Sequence, residues 1–245
     1  MELPCDDVGA GPAIVLLHAG VADRTMWAEH LQPLADEGRR VVAMDLPGFG
    51  EAPEPPLLAP WDDVLETMDA LGVERATLAG NSFGANVALR VAAVAPERVA
   101  GLVLVSASGR QQDPSPRLQA AWDAEEAALE RDDVEAAVAA VVDAWTLPDA
   151  PAALRDRVAA MQRRAFETQL AAGEPEEAPD PLEGRRLEPL PVVIAVGEHD
   201  MPDFHAAADE WAAELPDARR VTIAGAGHLA PLEQPEAFRE LLRQP

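Results

Sequence analysis

Lysine and tyrosine are absent from this chain of 245 residues, and cysteine occurs once, as Cys5. Without lysine there is no Schiff-base chemistry, no pyridoxal phosphate anchor, no Walker A phosphate loop and no lysine-dependent kinase. A single cysteine excludes an internal disulfide and a cysteine-rich metal centre, and leaves a free thiol as the expected state. Positive charge is scarce. All 19 basic residues are arginine, against 44 acidic ones, for a formal net charge of −25. Nucleic acids and anionic membranes are polyanions, so neither is expected as a partner; the acidity reads as a solvated surface. The first residues, Met1 to Asp7, lack the basic and apolar regions of a secretory signal, and no apolar run approaches transmembrane length. A soluble cytoplasmic protein is the expectation. Aromatic residues are only 4% of the chain, so alanine, valine and leucine must fill most of the core.

What is present is a rhythm of short apolar runs bounded by turn residues. They are Ala13 to Leu17, Arg40 to Met44, Ala76 to Ala79, Val99 to Val105, Pro191 to Val196 and Arg220 to Ala224. They are almost wholly apolar rather than alternating, as befits parallel strands buried on both faces. Helical patterns lie between most of them, at 27–36, 60–71, 84–95, 204–214 and 235–243. Alternating strand and helix predicts a doubly wound, mostly parallel α/β sheet.

One interval breaks the rhythm. Between Val105 and Pro191 there is no convincing strand. Three amphipathic helices are predicted instead. Leu118, Trp122 and Leu129 mark the first, behind the start signal Ser115-Pro116. Val134, Val138, Val141, Val142 and Trp145 mark the second, with Asp132 as its N-cap and Glu135 three residues on. Leu154, Val158, Met161, Ala165 and Leu170 mark the third, and Gly173 to Pro191 reads as a return linker. The expected organisation is a core of 1–108 and 189–245, with 109–188 as a helical insertion above the sheet.

Serine is rare as well: there are four, and only Ser82 has glycine two places before and two places after it, in Gly80-Asn81-Ser82-Phe83-Gly84. A strand that turns sharply into a helix exposes the side chain at its apex, and the crowded flanks need glycine. The apex also faces the positive end of the helix, where unpaired N–H groups can stabilise an oxyanion. Ser82 is therefore a candidate nucleophile.

A serine nucleophile needs a base, and the base needs an orienting group. His228, in Gly225-Ala226-Gly227-His228, follows the last strand, where loops converge on the ligand crevice of a parallel sheet. It is the candidate base. His30 is expected at the surface, His199 and His205 lack the glycine-rich turn, and His18 is expected to brace its own loop. Asp200, in Gly197-Glu198-His199-Asp200, is the candidate carboxylate, with Glu198 and Asp203 as competitors. The order serine, aspartate, histidine suits a G-x-S-x-G turn. The expected oxyanion donors are the N–H of Phe83 and that of Gly20, in His18-Ala19-Gly20-Val21. Asp45 to Gly50 reads as a structural turn. Trp122, Trp145, Met161 and Phe166 are candidates for an apolar substrate pocket, with plain packing the competing reading for each.

These motifs, Leu16-Leu17-His18-Ala19-Gly20, Asp45-Leu46-Pro47-Gly48-Phe49-Gly50, Gly80 to Gly84, Gly197 to Asp200 and Gly227-His228, occur in the order typical of the α/β-hydrolase superfamily. The chain resembles that family over nearly all its length; only 109–188 lacks a signature. The resemblance implies an eight-stranded, mostly parallel sheet, a helical cap over 109–188, and a Ser82, Asp200, His228 triad. It departs from the family at Ala19, where glycine is usual; a positive φ there would be strained. Glu51 replaces a common serine, and the N-terminal strands are expected to be abbreviated.

The function expected is hydrolysis of small carboxylic esters, without cofactor or metal, by a monomer or homodimer. Carbon–carbon bond hydrolysis of ring-cleavage products is a rival, because Gly80 to Gly84 looks like the turn of those enzymes. Their substrates are anionic, so Arg110, Arg163 or Arg164 facing the pocket would favour it. Lactone hydrolysis and a perhydrolase or haloperoxidase side activity use the same machinery. A ligand sensor on the same scaffold is the rival from another class.

Overall fold

The computed structural model describes residues 1–110, 113–215 and 217–243. Its main sheet has seven strands: β1 (Cys5–Gly9), β2 (Ala13–Leu17), β3 (Arg40–Met44), β5 (Ala76–Asn81), β6 (Val99–Val105), β8 (Val192–Gly197) and β9 (Ala218–Ile223). Their spatial order is β1-β3-β2-β5-β6-β8-β9, with β1 antiparallel to β3 and every other pairing parallel. Eight strands were expected; the main sheet has seven among the described residues, because one antiparallel edge strand, β1, precedes the first parallel one. The central strands are almost wholly buried, β5 and β8 at every residue.

Helices cover this sheet. α1 (Ala28–Asp36) packs on β1 and β3, α2 (Pro60–Ala70) on α3 (Phe83–Val94), and α3 on β2, β5 and β6. α7 (Pro202–Glu214) covers β8 and β9, and the chain closes with α8 (Ala230–Glu233) and α9 (Pro235–Leu242). Strand order reverses between β2 and β5, since β2 leads outward to β3 while β5 leads the other way to β6. Loops leaving two such strands part company and open a crevice at their carboxyl ends. Gly20 follows β2 and Ser82 follows β5, so both lie at that crevice.

Between β6 and β8 come α4 (Pro116–Leu129), α5 (Val134–Trp145) and α6 (Ala152–Ala172). They pack in series, α4 on α5 and α5 on α6. The cap between α4 and α5 differs from the expected one. Asp132 has φ +56 and closes α4, while Asp133 caps α5 by accepting from the Ala136 N–H at 3.0 Å. The tight connection needs one residue in the left-handed region and a second to start the next helix, and aspartate tolerates both tasks. The return linker also holds a two-residue strand that the sequence hid: β7 (Glu176–Glu177) pairs in parallel with β4 (Leu57–Leu58). Two residues carry no readable period. No helix among the described residues is long and apolar enough to cross a membrane.

Candidate active site

Ser82 stands between the last residue of β5 and the first of α3, at φ 53 and ψ −112. A non-glycine residue at such angles costs roughly 1–3 kcal/mol and persists only where its surroundings hold it. Here they do. The Ser82 N–H donates to the Val105 carbonyl at 2.8 Å and the Gly84 N–H to that of His18 at 3.0 Å. The flanking glycines are sterically required: a Cβ on Gly80 would strike the backbone of Gly84 and Ala85, and one on Gly84 the backbone of Leu17 and His18. The turn thus jams β5, α3 and the loop after β2 together, and leaves the Ser82 hydroxyl without a hydrogen-bond partner among the described residues.

Two backbone donors lie at the serine turn. Phe83 is the first residue of α3, so its N–H has no partner within the helix. Gly20 lies against it: a Cβ on Gly20 would sit 3.5 Å from the Phe83 Cβ. Neither N–H donates to any group among the described residues. His18 braces this loop as expected. Its Nε2 accepts from the Leu46 N–H at 2.8 Å, which leaves Nδ1 to donate to the Ala19 carbonyl at 2.8 Å. Burial holds the His18 pKa below its ordinary value, keeping it neutral for that pair of roles. Ala19 is buried and its φ is not positive, so the missing glycine brings no strain. Asp45 explains the next turn: its buried carboxylate accepts from the Arg24 and Glu51 N–H groups and pairs with the Arg24 guanidinium, which also binds Glu51 at 2.6 Å.

Across the crevice, Asp200 and His228 meet. His228 Nδ1 lies 3.1 and 3.2 Å from the two carboxylate oxygens of Asp200. Gly197 permits it, since a Cβ there would collide with the Ala226 and Gly227 carbonyls and push the two loops apart. The loops are also stitched by backbone bonds from Glu198 to Ile223 and from His199 to Ala226. Asp200 accepts from the Ser106 hydroxyl and the Met201 N–H, each at 2.7 Å. Burial pushes its carboxyl pKa up, but His228, Ser106 and the Met201 N–H outweigh this and hold it below the usual carboxylate range. The competing carboxylates are engaged elsewhere: Glu198 accepts from the Gly225 N–H, and Asp203 binds Ser115.

The imidazole of His228 is buried between Trp145 and Phe204, with ring centroids 4.4 and 4.3 Å away. Its Nε2 makes no hydrogen bond among the described residues. The side chain of Asn81, next to Ser82, donates to the His228 carbonyl at 3.0 Å, so the histidine loop is tied to the serine turn itself. No direct bond joins Ser82 to His228. Glu233 braces the loop from behind, accepting from the Gly227 N–H at 2.6 Å and the Leu147 N–H at 3.4 Å.

Asn81, Ser106, Phe204 and Glu233 were not singled out in the sequence. Ser106 had a signal: it is one of four serines and directly follows a buried strand. It takes φ 52 to turn its hydroxyl onto Asp200. Of the candidate pocket residues, Trp145 reaches His228, while Met161 and Phe166 are buried and the Met161 sulfur meets the Thr25 hydroxyl at 3.5 Å. Trp122 is 46% exposed, because Leu118 and Ala128 take the buried face of α4. His30 also differs from expectation. It is 1% exposed, and its Nε2 donates to the Pro231 carbonyl at 3.1 Å between Trp27 and Phe238. Arg110 pairs with Glu214, Arg163 with Glu135 and Arg164 with Asp23. No cluster of three or more His, Cys, Asp or Glu side chains able to hold a metal occurs among the described residues.

A family model for the alpha/beta hydrolase fold matches residues 12–235. The chain is 37% identical to a 2-hydroxymuconate semialdehyde hydrolase of Pseudomonas sp. (strain CF600), over 47% of this chain and 44% of that one. It spans less than half the length of the first curated relatives it matches. Among solved structures it superposes on a thermophilic esterase from Thermogutta terrifontis with a TM-score of 0.77 and 28% identity, covering 98% of this chain and 93% of that one. It superposes on the enol-lactonase from Burkholderia xenovorans LB400 with a TM-score of 0.79 and 25% identity, covering 98% and 95%.

Proposed function

We infer that this chain, which belongs to the α/β-hydrolase fold family, is a serine hydrolase that cleaves small carboxylic esters through an acyl-enzyme on Ser82. One observation carries the reading. An unengaged hydroxyl on a φ 53 turn sits on a segment that holds one free backbone donor, abuts a second, and is tied through Asn81 to a histidine loop whose imidazole is paired with a buried carboxylate. The Ser82 oxygen attacks the ester carbonyl and His228 Nε2 takes its proton. The Gly20 and Phe83 N–H groups receive the oxyanion, and Asp200 holds the imidazole in the Nδ1–H form and stabilises the imidazolium. His228 then protonates the departing alcohol. Water, deprotonated by the same nitrogen, releases the acid and restores Ser82. The helices α4 to α6 act as the cap, since α5 delivers Trp145 onto His228.

Carbon–carbon hydrolysis, the chemistry named for the Pseudomonas relative, would use the same triad. The pairing of Arg110, Arg163 and Arg164 with carboxylates speaks for uncharged esters instead. Lactones need no other machinery than esters. The test is a panel of p-nitrophenyl esters, lactones and dienoic acids with wild type and Ser82→Ala. Steady release of p-nitrophenol that falls about 10⁵-fold or more in the variant is expected. One slow turnover leaving a persistent adduct would instead mean a sensor.

A further inference from the structure

A cavity of about 560 Å³ opens directly beside the two oxyanion donors, with Gly20 and Phe83 in its lining. Phe49, Leu58 and Leu170 give it apolar walls, and Glu54, Glu174 and Glu177 give it three carboxylates. No arginine or histidine lines it. The walls come from separate segments pinned to one another. The β4–β7 pair fixes Leu58 beside Glu177, and the Gln169 amide, on α6, donates to the Gly48 carbonyl at 3.2 Å. Glu54 is wedged against Gly48 so closely that a Cβ at Gly48 would overlap its carboxylate. None of the three carboxylates has a hydrogen bond or ion pair among the described residues, and burial pushes the Glu54 carboxyl pKa up. Arg90 lines an adjoining cavity with Leu58, Phe83 and Glu177, and its guanidinium is paired with Asp180 at 2.6 Å.

We propose that this cavity takes one half of the substrate and selects it by charge: an apolar group, neutral or carrying an ammonium, is accepted, and one carrying a carboxylate is rejected, with Glu54 and Glu177 the specificity-determining residues. The proposal rests on reading Gly20, Phe83 and Ser82 as the reaction centre. Its physical basis is unpaired negative charge beside an apolar wall that stays open to water, with Leu170, Glu174 and Glu177 exposed. A carboxylate entering the cavity meets like charge at short range, with no cation in the lining to offset it. A neutral chain gains the apolar contact, and an ammonium gains the attraction as well.

The experiment compares three p-nitrophenyl esters whose acyl chains end in a methyl, a carboxylate or a trimethylammonium group: the pentanoate, the glutarate monoester and the 4-(trimethylammonio)butanoate. A second series places the same three charges on the alcohol half of a butyrate ester, so that either half can report. In the series that occupies the cavity, kcat/KM for the carboxylate ester should fall roughly 10- to 100-fold below the neutral one. The ammonium ester should match or exceed the neutral one. In the double variant Glu54→Gln, Glu177→Gln the carboxylate-to-neutral ratio should move to within about threefold of unity, and 0.5 M salt should narrow it in the wild type by screening. Binding of the same intact esters to Ser82→Ala, measured by calorimetry, reads the charge preference without turnover. Failure of the serine mechanism would therefore show separately, as wild-type turnover that survives Ser82→Ala. A carboxylate ester used as well as its neutral counterpart in both series, or a ratio unmoved in the double variant, overturns the proposal.

Discussion

At the carboxyl edge of the sheet, Ser82, Asp200 and His228 sit where collisions and hydrogen bonds leave the backbone one path. In α4 to α6, Leu118, Val138 and Val158 sit wherever the helical period turns a side chain inward. The first region spends stability on geometry: two serines at positive φ, three glycines whose Cβ would strike backbone, and buried polar groups with dedicated partners. The second region buries few polar side chains, Gln162 and Thr146 among them, and carries its ion pairs near the surface, where Arg163 meets Glu135 and Arg155 meets Asp143. Surface pairs of that kind contribute about 0–1 kcal/mol. A single atom therefore matters at the sheet edge, whereas in the helices only the average pattern does. Each of the following measurements breaks or sharpens that contrast.

Of these, the largest effect belongs to Asp200→Asn. The volume is unchanged, but an amide can satisfy Ser106 and Met201 only by disturbing what it offers to His228 Nδ1. The imidazole then loses both its tautomer and the charge that stabilises its protonated form. We expect kcat on a p-nitrophenyl ester to fall about 10⁴-fold with the fold intact by circular dichroism. A fall of less than tenfold would mean that the buried pair is a structural brace and that the base lies elsewhere.

Gly80→Ala comes next. Its new methyl group has only backbone to displace, that of Gly84 and Ala85. A loss of about 3 kcal/mol or more in urea unfolding is expected, with activity lost alongside. Gly20→Ala is the control. Its Cβ would meet Phe83 at 3.5 Å, an ordinary contact, so stability should change by less than about 0.5 kcal/mol. Equal costs at the two sites would show that the serine turn is softer than its packing implies.

The same contrast explains what could be read from the sequence. The parallel strands, the glycine-flanked serine and the loop-end histidine and aspartate were legible, because close approach of backbones demands glycine and double burial demands continuous apolar runs. Gly197 shows how local that signal is: it permits the meeting of Asp200 with His228, yet nothing in its neighbours says which loop it must admit. Asn81 and Ser106 were missed for a related reason. Each acts across the sheet, on the His228 carbonyl and the Asp200 carboxylate, through contacts with no sequence period. His30 was misplaced because one face of α1 had to be assigned without knowing that α9 closes over it. In the helices, Asp132 and Asp133 were interchangeable on composition alone, and only the left-handed turn separates them.

His30 supplies the pH test. Burial lowers its pKa from the ordinary 6.5 to about 4. The folded state thus holds it neutral where the unfolded chain would bind a proton. Its contribution to stability is complete above pH 6.5 and falls as pH drops toward 4. Across that window the cost is about 3 kcal/mol. The difference between wild type and His30→Gln in urea midpoint, followed from pH 7 to pH 4, should show the wild type losing more of its stability. Parallel curves would mean that the imidazole is reached by water despite its packing.

The smallest effect is expected at Trp122, and it tests the helical half of the contrast most directly. Trp122 and Trp145 lie on neighbouring helices of one segment, yet one is 46% exposed and the other is packed on His228. Removing a buried tryptophan costs about 3–5 kcal/mol, while a surface substitution stays within about 0.5 kcal/mol. Trp122→Ala should therefore lower the melting temperature by no more than about 2 °C and leave the order of preference among p-nitrophenyl esters as it was. Trp145→Ala should change both. A several-degree loss in Trp122→Ala, or a shifted ester preference, would show that α4 turns this ring inward when substrate is bound, and the helical segment would then hold its side chains as strictly as the sheet edge does.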